Sequence, residues 1–322
     1  MRRSPDICFI FRILIFLGFL PSTSHGATTL ARTLWDLSEE AEAIVLAHVD
    51  QVGQTPPSAA GSRSRNSDLA ALSVQQVLKG TPTAAILVEY RGSTLCQVPP
   101  EYIVGTQVLA FLRKNGPHYL TVAMSQGTLS PKPGELDDYL SVVQEAVALQ
   151  AARPMAQDAK IRWMVHAAAR PATRLHGLGG LVHPTSYLRG GGKNWESAPK
   201  SPDGIRLTPE QFKEIADSFV KYPTTGHSLP MILALLEHYA SKAIDHTAIG
   251  LVDAALAEDV PAPWLIAAID LLRSRLRDPM LATIPSPTVW ENVPITVLRQ
   301  GWQAVRKRLR LPQVAPIKAP AT

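Results

Sequence analysis

Apolar residues recur with strand-like alternation through the first half of the chain and with a helical period from Asp158 onward, so the hydrophobic pattern itself divides the sequence. Thr33–Ala41 reads as a short helix, with Leu34, Leu37 and Ala41 on one face. Five strand signals follow: Ala43–Val52, Leu69–Leu78, Ala85–Tyr90, Thr106–Arg113 and His118–Met124. The first is apolar on both faces and is therefore central. Lys79-Gly80-Thr81-Pro82 turns the chain, and Asn115-Gly-Pro117 makes a hairpin of the last two strands. Leu136–Ala152 is then an amphipathic helix, with Asp137 and Asp138 favourable to its N-terminal dipole.

In the second half, helices are expected over Asp158–Ala169, Ala172–Val182, Thr208–Lys221, Ser228–Tyr239, His246–Ala257, Pro263–Arg277 and Pro294–Leu309. Thr208-Pro-Glu-Gln211 is a strong start, because Thr caps, Pro fits the first turn and Gln reaches back to the cap. Short loops between apolar helices imply antiparallel helix pairs stacked side by side. Their spacing resembles HEAT-type repeats, which run about 40–47 residues per unit. Ser186–Gly204 reads as a long exposed loop, and residues 312–322 as a disordered Pro and Ala tail.

The N-terminus changes the setting. Arg2 and Arg3 precede an apolar stretch from Ile7 to Leu20, Pro21 breaks it, and Ser24-His-Gly26 places small residues at the last and third-last positions before a cut. This is the pattern of a secretory signal, residues 1–26, too short for the roughly 20 apolar residues a membrane span needs. No later segment is apolar enough to span a bilayer. Cleavage removes three Arg and one Asp, which takes the formal charge from +5 to +3. That mild excess does not point to nucleic acid. The 46% hydrophobic content excludes wholesale disorder.

Five short strands with a long third connection suit a small closed barrel of the OB type. Ala41-Glu-Ala-Ile-Val-Leu-Ala-His-Val49, Val74-Gln-Gln-Val-Leu-Lys-Gly80, Gly105-Thr-Gln-Val-Leu-Ala-Phe-Leu112 and Ser125-Gln-Gly127 carry a further likeness. Over roughly residues 30–130 the chain resembles secreted bacterial proteins whose N-terminal domain is similar to the OB-like barrel of netrin modules and tissue inhibitors of metalloproteases. Those inhibitors chelate the protease zinc with an N-terminal Cys. A mature chain beginning near Ala27 has no Cys there, so the resemblance implies the fold and not the inhibition. The expected class is α+β: residues 27–152 a five-stranded OB-like β-barrel with a docked helix, residues 153–311 an all-α helical-hairpin (HEAT-like) domain.

Candidate chemistry is sparse. Of two Cys, Cys8 leaves with the signal, and Cys96 stays as a small apolar residue, a thiol for a partner, or a reactive thiol. Gly190-Gly-Gly-Lys193 lacks the hydroxyl residue and preceding strand of a phosphate loop. Ser197-Ala-Pro-Lys200 has the spacing of a penicillin-binding nucleophile, but Pro199 and Pro202 oppose the helix it needs. The His residues form no ligand pair at helical spacing, although His238 and His246 flank one turn. No metal or cofactor is expected. Arg299, Arg306, Lys307, Arg308, Arg310 and Lys318 form an acid-free basic run, which fits a helix C-terminus or attraction to an anionic envelope polymer.

The remaining signal is the Ser186–Gly204 loop. Tyr187, Arg189 and Trp195 are residue types enriched at binding hot spots, so this loop is a candidate partner contact. The reading is an exported, periplasmic or extracellular binding or scaffolding protein, its partner an envelope protein or an anionic surface polymer. The alternative is a hydrolase or metal-dependent enzyme with an unrecognised site.

Overall fold

A computed structural model describes residues 32–54, 68–90, 98–152, 156–182, 205–226, 228–237, 239–257, 263–279, 281, 284 and 294–309. Helix α1 (Leu34–Glu40) opens with a capping box, in which Thr33 and Asp36 each bond the other's backbone N–H. The strands are β1 (Ala43–Gln54), β2 (Asp68–Lys79), β3 (Ala85–Tyr90), β4 (Gln107–Asn115) and β5 (His118–Thr121), with a two-residue β6 (Thr128–Leu129). They pair in the order β1-β2-β3-β5-β4, and β4 returns to β1, which closes a five-stranded barrel. All contacts are antiparallel except β3 with β5, where Val88 and Glu89 run parallel to Tyr119 and Leu120. Three register shifts along the β1–β2 pairing bend β1, and the strand pairs with β2 on one side and β4 on the other.

Strand alternation gives the barrel two apolar faces. Val45, Ala47 and Val49 of β1 turn inward to meet Leu72, Val88 and Val108, and alternate alanines let this small interior close. Tyr102 lies buried beside it, its hydroxyl bonded to Thr121 Oγ1 at 2.7 Å and its ring 5.0 Å from Tyr90. Ile44, Leu109 and Phe111 turn outward instead, and they belong to one hydrophobic cluster that runs on to Trp302 and Val305 near the chain's last described helix.

Among the described residues eight further helices follow the barrel: α2 (Leu136–Ala151), α3 (Gln157–Ala169), α4 (Arg174–Leu181), α5 (Pro209–Lys221), α6 (Ser228–Leu235), α7 (Lys242–Ala257), α8 (Pro263–Leu276) and α9 (Ile295–Leu309). The protein is thus α+β, a closed barrel followed by a helical region. Trp163 of α3 joins the parts: its indole N–H donates to Val142 O at 2.8 Å, and its ring meets Trp35 edge-on at 5.1 Å. Helices α3 and α4 form a tight pair, α5 packs on α3, and α8 lies against both α6 and α7.

Buried Arg174 ties this bundle together. Its guanidinium donates to Ala168 O at 3.2 Å, Tyr222 O at 2.6 Å and Ser218 Oγ at 2.9 Å, so a cation faces the C-terminal ends of α3 and α5. Helix C-termini favour positive charge. Burial nonetheless lowers its pKa to about 10.

Elements shift slightly from the sequence expectation. The fifth strand stops at Thr121 because Ala123 and Met124 take positive φ and begin a 3-10 turn. Helix α6 ends at Leu235, four residues early, and α7 begins at Lys242, one turn early. The signal segment, the Ser186–Gly204 loop and the tail fall outside the described residues.

Candidate functional site

Three polar groupings stand out among the described side chains. The first is on the barrel surface. His48 of β1 lies opposite Ser73 of β2 and Gln107 of β4, and a register shift brings Asp50 to the same face. His48 Nδ1 is 3.0 Å from Asp50 Oδ1, and Ser73 Oγ donates to Asp50 Oδ2 at 2.5 Å. The Ser73 and His48 hydrogen bonds hold the Asp50 carboxyl below its usual range. A hydrolytic triad needs the imidazole between hydroxyl and carboxylate, so that the ring takes the hydroxyl proton. Here the carboxylate is in the middle, and the Ser73 hydroxyl donates its hydrogen bond to Asp50 and not to the imidazole.

The second grouping joins α2 and α3. His166 Nδ1 is 2.5 Å from Glu145 Oε2, Arg170 Nε donates to His166 Nε2 at 3.0 Å, and Arg170 reaches Asp138 at 3.5 Å. Because Arg170 can only donate, Nε2 is the acceptor and Nδ1 carries the proton to Glu145. Both ring nitrogens are engaged, which leaves neither for a substrate proton or a metal.

The third is a cleft of about 470 Å³ where the turn after α6 and the start of α7 meet the last turn of α8. Arg275 organises it. Its side chain, 3% exposed, pairs with Asp245 Oδ1 at 2.7 Å and also donates to the carbonyls of Leu236 and Tyr239. Ser274 donates to Glu237 and sets that carboxylate on the wall. Lys242 and Arg277 line the cleft as well; both are exposed, and their side chains make no hydrogen bond or ion pair to any described residue. Among the described residues the cleft therefore holds three cations against two carboxylates, with one cation and one carboxylate neutralising each other. Among the described residues no group of three or more His, Cys, Asp or Glu is placed to hold a metal ion.

The residues singled out from sequence do not enter these groupings. Tyr187, Arg189 and Trp195, the Gly190–Lys193 and Ser197–Lys200 segments, and Cys96 lie outside the described residues. Part of the C-terminal basic run serves the fold. Arg306 pairs with Asp253 at 3.1 Å, Arg308 with Asp278 at 3.7 Å, and Arg299 Nε donates to Leu256 O at 2.7 Å. The cleft has no local signature: Glu237, Lys242 and Arg277 are separated in sequence, and each alone reads as a solvated charge. No family model matches this chain, and no curated protein does so either.

Among the described residues no helix is long and apolar enough to cross a membrane.

Proposed function

We propose that this chain is an exported, non-catalytic binding or scaffolding protein of the cell envelope. The observation that carries the reading is the polar cleft beside α7. Among the described residues it presents two cationic side chains without a partner on a frame fixed by the Arg275 side chain, and the Ser274 hydroxyl donates to a carboxylate and not to a base. Such a site is built to hold a ligand more than to cleave one. The closure of the barrel through β1 and β4, with β3 parallel to β5, supports kinship with netrin-type and inhibitor-type barrels. The packed helix pairs support a HEAT-like second half, whose partner is an envelope protein or an anionic surface polymer. The Tyr187–Trp195 loop is a second contact in this reading.

Fractionation of the producing cell tests it. Intact-mass analysis should find the protein in the envelope fraction, shortened by the first 26 residues, and affinity capture from envelope extract should return a specific partner. Recovery from the cytoplasm at full mass refutes export. The alternative, an envelope hydrolase, draws on the His48–Asp50 pair, a carboxylate-oriented imidazole at 3.0 Å. Hydrolysis of an ester or peptide panel that disappears in His48→Ala would establish it instead.

A further inference from the structure

We infer that the cleft beside α7 is a binding site for an anionic sugar, one carrying a phosphate or a carboxylate. The inference deepens the reading of the chain as a binding protein. The lining dictates the ligand class. Apart from Ala240, every described residue that lines the cleft is polar or charged, so the wall favours a polar ligand over a hydrophobic one. The Lys242 and Arg277 side chains stand on the wall without a partner among the described residues, whereas Asp245 has its charge answered by Arg275. The unanswered positive charge calls for an anion. A bare inorganic ion fills only a small part of about 470 Å³. The rest of the wall offers Ser241 as donor and acceptor and the Glu237 carboxylate as acceptor, the complement of a hydroxyl-rich ring.

Arg277 supplies a second, independent argument. It follows the last residue of α8, its N–H bonds Arg273 O at 3.0 Å, and its φ is 47°. Helices commonly end on a left-handed residue at this position, and the residue is usually Gly, because a side chain there is strained. The chain places a long cation where glycine is easier. Arg277 thereby lines the cleft, and a strained backbone at a residue on a cleft wall is the pattern of a functional position.

The test uses the full mature chain, with isothermal titration against glucose 6-phosphate, glucuronate and glucose. At least one anionic sugar should bind, more weakly as salt rises, and neutral glucose should not. The preferred anion tells phosphate from carboxylate. Lys242→Ala and Arg277→Gly should each weaken binding by about tenfold or more, the scale of losing one charged partner. Arg277→Gly should also melt at a higher temperature than the parent, which separates loss of the ligand contact from loss of the fold. Equal affinity for glucose, unchanged affinity in both variants, or no binding of either anionic sugar overturns the assignment. Envelope capture with the parent and the double variant as bait keeps the two readings apart. A partner held equally by both leaves the binding role standing without this cleft, and no partner for either bait removes the binding role too.

Discussion

Gly177 sits inside α4 where that helix meets α3, and it offers the sharpest test of the packing. A Cβ added there falls inside contact distance of Ala168 N and Met164 O and 2.7 Å from the Ala167 carbonyl carbon. Two opposed effects follow from Gly177→Ala. Alanine favours the helix by about 1 kcal/mol over glycine. Overpacking a tight contact costs about 1–3 kcal/mol, occasionally more. The obstructing atoms are backbone and cannot rotate aside, so the cost falls at the upper end and the net loss is about 2 kcal/mol. At about 2.1 cal/mol/K of unfolding entropy per residue, a chain of this length shifts by roughly 1.5 °C of Tm per kcal/mol. Thermal and urea melts followed by circular dichroism should show Tm lower by about 3 °C and a lower urea midpoint at unchanged slope. Gly180→Ala is the control. Its Cβ meets only Met164 Sδ and Cγ, the movable part of a flexible side chain, so the variant should stay within about 1 kcal/mol of the parent. If Gly177→Ala matches or exceeds the parent in stability, helices α3 and α4 do not approach as closely as described.

Two further outcomes are expected. Burial lowers the His176 pKa from 6.5 to about 4, against the opposing pull of the Arg32 backbone and the Asp36 charge. The unfolded chain thus binds more protons below pH 6.5, so this stability is full above that pH and is lost as pH falls towards about 4. The whole effect is up to about 3 kcal/mol, and His176→Gln should flatten the dependence of the urea midpoint on pH across that window. Thr208→Ala removes the hydroxyl that accepts from Gln211 N at 3.3 Å in the capping box of α5. A loss of about 1 kcal/mol is expected in the same urea assay.

Most of the barrel was legible because its strands are written in short-range alternation. Ala85–Tyr90 is the same in sequence and structure, and the other four strands differ at their ends. The ends moved where the deciding interaction is not local, as at Ala123 and Met124, whose positive φ no propensity announces. The two-residue β6 carries too little pattern to be seen. The Thr208 cap was readable because its partner is three residues away. The cleft was not, because Arg275 meets Asp245 across 30 residues and the pair has meaning only once α8 lies on α7. Arg174 was equally silent, since its acceptors at Ser218 and Tyr222 are backbone and hydroxyl groups from another helix.

The outward face of the barrel bears on how such a protein can be inherited. Ile44, Leu109 and Phe111 share one cluster with Trp163, Phe219 and Trp302. A gene encoding the barrel alone would display part of that apolar wall to water, and a gene encoding the helices alone would leave bare the face they share with it. Recombination at the strand–helix junction is therefore expected to expose apolar surface on both fragments. A volume change at Phe111 or Trp163 is thus a change to one continuous core shared by both halves.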